Sequence, residues 1–267
     1  MLVIKIGGAA GVNFASICAD VAELVQRGQK VVLVHGGSAE VNEISTQLGH
    51  PPRFVTSESG FTSRYTDRET LEIFAMVTAG KINTLLVEQL QHKGINAFGL
   101  TGLDGRWMVA HRKEAIRVVE NGRKRVLRDD YTGKIEQVNP AILSLLLGMG
   151  LTPVVAPLAI SPAGEALNVD ADRAAAMVAG ALGAQSLILL TNVPGLMRKF
   201  PDESTLIHHL PRVEVQRAIE YAEGRMKKKV LGAAEALQGG VSRVIFADGR
   251  SDHPLRDALN GKGTIIE

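Results

Sequence analysis

The groups best able to do chemistry in this chain are three lysine- or aspartate-bearing motifs and two glycine clusters. Lys5 sits in Val3-Ile4-Lys5-Ile6-Gly7-Gly8, near the end of an apolar run that reads as a buried strand. An ammonium there is costly unless it is paired, holds an anion, or snorkels out at the strand end. Met226-Lys227-Lys228-Lys229-Val230 places lysines at a helix start. Such a run often forms a solvated helix face, yet cations are unfavourable at the positive end of a helix dipole, which points to an anion nearby. In Asn168-Val169-Asp170-Ala171-Asp172, capping of the following helix accounts for one polar residue. Either capping is the whole role of this run, or Asp172 orients lysines or water on Mg²⁺. Gly7-Gly8 and Gly36-Gly37-Ser38 each follow a strand. Glycines at such places make tight turns, and they also let a phosphate approach bare backbone N–H groups.

Other chemistries find less support. Neither G-x-x-x-x-G-K-[ST] nor G-x-G-x-x-G occurs, so P-loop and dinucleotide-binding folds lose ground. His208 and His209 are adjacent rather than at helical spacing, and no metal site is expected. There is no G-x-S-x-G elbow. Cys18, the single cysteine, cannot form an internal disulfide and fits a reducing cytoplasm. The net charge of +2 does not suggest a nucleic-acid binder. The segment from Arg112 to Arg128 is nonetheless basic: Arg112, Lys113, Arg117, Arg123, Lys124, Arg125 and Arg128 against Glu114 and Glu120. It carries no aromatic residue for base stacking. The opening MLVIKIGG does not read as a secretory leader, and no apolar stretch reaching the ~20 residues of a membrane helix is expected.

The elements that must position these groups alternate. Strands are expected at Leu2–Ile6, Lys30–Val34, Asn96–Leu100, Thr152–Leu158, Ser186–Leu190 and Arg243–Ala247. Helices are expected at Asn13–Gln26, from Ser38 through Leu48, and at Glu69–Gln91, Pro140–Leu147, Ala171–Leu182 and Arg225–Leu237. This alternation, with strands as apolar as VVLV and LILL, implies an α/β protein whose mainly parallel sheet is covered on both faces. Aromatics are 4% of the chain, so the core must be built from Val, Ile, Leu and Ala. Between Gly102 and Val138 the turn signals Asp104-Gly105, Asn121-Gly122 and Thr132-Gly133 suggest antiparallel hairpins. A boundary between a lobe of residues 1–160 and one of residues 161–267 is expected where Pro157 to Gly164 cluster prolines and glycine.

The ordered set K-I-G-G at Lys5, V-H-G-G at Val34, R-Y-T-D at Arg64, A-G-K-I-N at Ala79, N-V-D-A-D at Asn168, L-T-N-V-P-G at Leu190 and M-K-K-K-V at Met226 resembles the amino-acid kinase family, in its N-acetylglutamate kinase branch. The resemblance implies a three-layer αβα sandwich of the carbamate kinase-like type, ATP with Mg²⁺ as phosphoryl donor, and a homodimer with the long Glu69–Gln91 helix at its interface. It implies that Lys5 and Lys229 neutralise the transferring phosphoryl group and that Asp172 organises both. Gly8, Gly36, Gly37 and Ser38 would hold phosphate, and Gly36, Gly37, Arg64 and Asn168 would hold the amino-acid substrate. Thr191, Asn192, Val193, Gly195 and Lys229 would bind nucleotide. The chemistry agrees: a carboxylate acceptor needs no general base, and positioning with charge neutralisation carries phosphoryl transfer.

Two departures bear on the substrate. The branch usually reads H-G-G-G, where this chain has His35-Gly36-Gly37-Ser38, and the segment Val55 to Asp67 replaces the usual V-N-G-L-R-V-T-D. The second departure resembles paralogous kinases of lysine biosynthesis, whose 2-aminoadipate substrate is capped on its amino group by the C-terminal glutamate of a small acidic carrier protein, LysW. A basic docking surface at Arg112, Lys113, Arg123, Lys124 and Arg125 would suit that carrier. N-acetylglutamate and carrier-linked glutamate are the alternative acceptors. Feedback inhibition by arginine is not expected, because the chain opens almost directly on its first strand.

Overall fold

The computed structural model describes every residue except Ser59, Phe61, Asn121, Gly122 and Glu223, and the side chains of Glu120, Arg123, Tyr221 and Arg225 also lie outside that description. The expected Asn121-Gly122 turn therefore falls outside the described residues, as do Ser59 and Phe61 of the altered substrate-side segment. The chain runs β1 (Leu2–Ile6), α1 (Phe14–Gln26), β2 (Val31–His35), α2 (Ser38–Gln47), β3 (Phe54–Ser57) and β4 (Thr62–Arg64). It continues through α3 (Arg68–Ala75), a π-helical segment (Met76–Ile82), α4 (Asn83–His92), β5 (Ala97–Thr101), β6 (Met108–Arg112), β7 (Ile116–Glu120), β8 (Arg123–Leu127) and β9 (Gly133–Val138). Then come α5 (Ala141–Gly148), β10 (Thr152–Ala156), β11 (Leu158–Ile160), β12 (Ala166–Asn168), α6 (Ala171–Ala181) and β13 (Ser186–Thr191). The final elements are β14 (His209–Leu210), α7 (Val215–Tyr221), α8 (Gly224–Gln238), β15 (Arg243–Asp248), α9 (Pro254–Leu259) and β16 (Thr264–Ile266).

Eight strands form the main sheet in the order β14-β16-β15-β13-β1-β2-β10-β5, parallel except for the β15–β16 pair. Because side chains alternate across a strand, its residues sort into two cores. Val3, Val32, Val34, Leu187 and Leu189 face α5, α6 and α8, while Leu2, Ile4, Ile6, Leu33, Ile188 and Leu190 face α1, α4 and α9. This is the expected three-layer αβα arrangement. It also fixes the direction of Lys5, which shares the face of Val3 and so points toward α6 and α8. Those helices approach closely through Ala174, Ala175, Ala179, Ala233 and Ala236, and Arg173 Nε donates to Glu235 Oε2 between them at 3.0 Å.

The expected strand from Thr152 to Leu158 is divided. Pro157 has no N–H for the ladder, so β10 stays in the main sheet and β11 joins a second sheet, β12-β11-β6-β9. The hairpin region is likewise split. β6 and β9 pair in that second sheet, whereas the β7–β8 hairpin between them leaves it to pair with β3 in a third sheet, β4-β3-β7-β8. Asp104-Gly105 lies in a 3₁₀ turn. Ile160 ends β11, so the expected boundary after it falls between β11 and β12, which pair with each other. The long helix spans Arg68–His92 and, contrary to the sequence expectation, is long and apolar enough to cross a membrane on length and composition alone. Its Leu71, Ile73, Phe74, Val77, Leu86 and Leu90 are buried in the protein core.

Candidate active site

Three side chains meet at the carboxyl end of the main sheet. β1 supplies Lys5, the first turn of α6 supplies Asp172, and α8 supplies Lys229. Asp172 Oδ1 accepts from Lys5 Nζ at 2.9 Å, and the two carboxylate oxygens accept from Lys229 Nζ at 3.0 and 2.8 Å. Their side chains are 6%, 11% and 13% exposed, too dry for water to screen them. Burial alone would raise the pKa of Asp172. Lys229 and Lys5 outweigh it and hold the carboxyl well below the usual carboxylate range. Two ammonium groups share one carboxylate, so the cluster keeps an excess positive charge. Burial and the neighbouring Lys5 outweigh the carboxylate at Lys229 and lower its pKa; at Lys5 burial also opposes the charge, but Asp172 prevails and raises it.

The folded pKa of Asp172 lies below its unfolded value of about 3.9, so its contribution to stability is complete above about pH 5 and fades as pH falls toward the folded value. In urea unfolding, the stability gap between wild type and Asp172→Asn is expected to be constant between pH 6 and about pH 5 and to narrow from there to pH 3. A gap constant down to pH 3 would contradict this ionisation.

The glycine loops face each other across the ends of β1 and β2. A Cβ on Gly8 would lie 2.2 Å from Gly37 N and 2.7 Å from Ser38 N, and one on Gly36 would lie 2.8 Å from Gly8 N. Backbone thus packs on backbone. Ala39 N donates to Gly8 O at 2.8 Å, and Ser38 Oγ donates to the same oxygen at 3.0 Å. Ser38 was expected to bind phosphate. Its hydroxyl proton is instead donated to Gly8 O, tying the two loops together.

These groups line a cleft of roughly 520 Å³, together with Arg64, Thr132, Asn168, Asp170, Thr191, Asn192, Lys227 and Lys228. On one wall, Arg64 Nη2 donates to Asn42 Oδ1 and its guanidinium lies 5.2 Å from the Phe54 ring centre. Asn168 Nδ2 donates to Thr66 Oγ1 at 3.0 Å. Beneath them, Asp130 Oδ1 accepts from Thr66 N at 2.9 Å and Thr132 Oγ1 at 3.0 Å. Burial raises the Asp130 pKa, although these bonds oppose the shift. Asn42, Thr66, Asp130 and Thr132 were missed from sequence. Thr66 had a signal, since it stands in the R-Y-T-D motif beside Arg64. On the same side Lys228 Nζ donates to Thr62 O at 2.6 Å, linking α8 to the β3–β4 hairpin.

On the opposite wall, Thr191 and Asn192 line the cleft but Val193 and Gly195 do not. Val193 N donates to Thr191 Oγ1 at 3.0 Å, and a Cβ on Gly195 would lie 2.6 Å from Thr264 Oγ1, so these two shape the loop from behind. Asp170 caps α6 by accepting from Asp172 N and Arg173 N. Asp170 and Asp172 are both engaged in these bonds, and among the described residues no cluster of three His, Cys, Asp or Glu could hold a metal ion.

The basic segment needs one correction. Arg112 is on β6, not on the β7–β8 hairpin, and its side chain is 19% exposed. It pairs with Glu165 at 2.8 Å, donates to Asp130 O at 3.0 Å and lies 3.8 Å from the Tyr131 ring centre. It is a strut under the Asp130 network. Arg112→Met is expected to lower unfolding free energy by about 2 kcal/mol in chemical denaturation. Lys113, Lys124 and Arg125 are exposed, with Lys124 Nζ 2.9 Å from Glu58 Oε1; the side chain of Arg123 lies outside the described residues.

The sequence profile of the Amino acid kinase family matches residues 1–248. The chain belongs to this family. It is 55% identical over 266 residues to the [LysW]-aminoadipate kinase of Deinococcus radiodurans, covering 100% of this chain and 91% of that one. It is 52% identical over 268 residues to the [LysW]-aminoadipate kinase of Thermus thermophilus, covering 100% of both. Among solved structures, the N-acetylglutamate synthase of Neisseria gonorrhoeae complexed with coenzyme A and N-acetyl-glutamate superposes with a TM-score of 0.81 at 29% identity. That match covers 99% of this chain and 58% of the longer synthase. Within this amino acid kinase, Cys18 is buried, and burial pushes its thiol up to about 11, which disfavours the thiolate.

Proposed function

We propose that this amino acid kinase transfers the γ-phosphoryl group of ATP to the side-chain carboxylate of 2-aminoadipate, whose amino group is borne by the small acidic carrier LysW. The product is an acyl phosphate. The observation that carries the reading is the buried Lys5–Asp172–Lys229 cluster set against two facing glycine loops. Phosphoryl transfer between an anionic donor and an anionic acceptor requires charge to be neutralised more than protons to be moved. The cleft supplies ammonium groups and backbone amides, and the described residues lining it include no histidine. A carboxylate nucleophile needs none.

Lys5 and Lys229 neutralise the charge that spreads over the transferring group, and Asp172 holds both ammonium groups at a fixed separation. Backbone N–H groups at Gly8, Gly37 and Ser38 receive the phosphoryl oxygens. Arg64 and Asn168 grip the acceptor on the first-half side, and the Thr191–Asn192 turn meets the nucleotide on the second-half side. Mg²⁺ would enter as the ATP chelate and supply further positive charge to the phosphoryl oxygens, while Asp170 caps α6 and Asp172 holds the two lysines. A homodimer would use the outer face of the Arg68–His92 helix, where Met76 and Leu85 are exposed.

The names of the Deinococcus radiodurans and Thermus thermophilus relatives support carrier-linked aminoadipate over N-acetylglutamate. The exposed Lys113, Lys124 and Arg125 offer complementary charge to an acidic carrier. Replacing Lys124 and Arg125 together with Glu is expected to raise KM for the carrier-linked substrate about tenfold with kcat unchanged. An unchanged KM would remove the hairpin from the docking surface. The acyl phosphate itself is tested by running the reaction in hydroxylamine. One hydroxamate per ADP supports carboxylate transfer, and ADP without hydroxamate contradicts it.

A further inference from the structure

We propose that His35 is a positioning residue that locks the Gly36–Gly37 peptide with its N–H toward the transferring phosphoryl group, and that Asn83 selects the histidine tautomer able to do so. The proposal rests on the kinase reading above. A peptide between two glycines is flanked by no Cβ and is the easiest kind to flip. A flip here would present a carbonyl oxygen, instead of an N–H donor, to an anion.

The lock is built from buried atoms. His35 ends β2 and is fully buried, with Nδ1 2.9 Å from Gly36 O. Asn83 Nδ2 lies 2.9 Å from Val154 O and 3.1 Å from His35 Nε2. Val154 O can only accept, so the NH₂ of Asn83 must face it, and the second hydrogen of that NH₂ faces Nε2. Nε2 is then the acceptor, and Nδ1 carries the proton donated to Gly36 O. In a trans peptide the C=O and the following N–H point in opposite directions. Holding Gly36 O against the buried ring therefore turns the Gly37 N–H away from the ring, toward the side where Gly8 and the cleft lie. Burial, with a smaller effect from Lys5, lowers the His35 pKa to about 4 against the pull of the Gly36 carbonyl, so the ring stays neutral in ordinary buffers.

The long helix is shaped to deliver this lock. Asn83 is the first residue after the π-helical segment Met76–Ile82. The same wide turn sets Ile82 and Thr78 against the loop: a Cβ on Gly37 would lie 2.6 Å from Ile82 Cδ1 and 3.2 Å from Thr78 Cγ2. Single π-turns occur frequently at functional sites. On the far side of Asn83, a Cβ on Gly99 would lie 2.1 Å from its Oδ1, so β5 leaves the amide room by carrying glycine there.

The test has two arms on the full chain. Nitrogen-15 NMR of the histidine rings at pH 7 should show His35 protonated at Nδ1 and bare at Nε2. The opposite tautomer would overturn the proposal. In kinetics, His35→Phe should lower kcat about 10²-fold, the scale of losing one oriented donor, with KM for ATP changed less than threefold. Asn83→Leu leaves the ring in place but frees its tautomer, and should lower kcat about tenfold. Should His35→Phe not fold, Asn83→Leu and the NMR arm decide. Folded variants with wild-type kcat would overturn the lock alone, whereas absence of turnover by the wild type would overturn the kinase reading.

Discussion

Asp172→Asn is expected to lower kcat by about 10³-fold while leaving KM for ATP no higher than in the wild type. The carboxylate accepts from Lys5 and Lys229 at once, and all three side chains are nearly dry. An asparagine has similar shape, but it removes the negative charge and turns an NH₂ toward at least one ammonium. Two uncompensated buried cations then repel each other, at a stability cost of about 3–5 kcal/mol. Lys229, whose pKa is already lowered, is the group that would shed its proton. The transition state would thereby lose one of its two cations and the geometry of the other. ATP, itself an anion, can stand in for the missing carboxylate in the ground state, which is why its KM should not rise. Steady-state kinetics with thermal unfolding in the presence and absence of ATP read all of this. The variant should be destabilised without nucleotide and disproportionately rescued by it. Activity within tenfold of wild type would remove Asp172 from the centre of the mechanism.

Gly8→Ala should be nearly as damaging, for a steric reason. The new methyl would sit 2.2 Å from Gly37 N, 2.7 Å from Ser38 N and 2.8 Å from Gly36 C. These are backbone atoms, so no rotamer change relieves the clash. The loops after β1 and β2 must separate, breaking the bonds from Ala39 N and Ser38 Oγ to Gly8 O. Overpacking of this kind costs about 1–3 kcal/mol or more. Displacing the loop amides should lower kcat by about 10²–10³-fold. Gly148→Ala is the control: a Cβ there meets nothing within 4 Å, so stability and activity should hold. Wild-type activity in Gly8→Ala would mean that the loops do not need their close approach.

The residues that build the centre were grouped by the resemblance that their ordered motifs carry, and each also sits on an element with a local signature. Lys5 lies in an unbroken apolar strand, Asp172 follows a helix cap, and Lys229 sits in a cationic helix start; alternation along β1 and the small residues of α6 and α8 then bring them together. The cleft wall around Arg64 and Asn168 was less legible. Arg64, Thr66, Asp130 and Asn168 come from segments far apart in the chain and are joined by side-chain hydrogen bonds that leave no periodic trace. Short mixed strands such as β3, β4, β11 and β12 carry too few residues for a pattern. The basic run read as one surface because charge alone does not reveal that Arg112 turns inward to Tyr131 and Glu165. The π-helical segment was invisible for a similar reason: Gly80 inside an apolar helix looks the same whether the turn is regular or wide.

The most direct test of the account is ADP release by the purified protein with LysW-linked 2-aminoadipate and with N-acetylglutamate, assayed in parallel at equal concentration. Strong turnover of the carrier-linked substrate with little from the acetylated one is the predicted result. Strong turnover of N-acetylglutamate alone would contradict the carrier-linked reading and return the basic hairpin to an ordinary solvated surface.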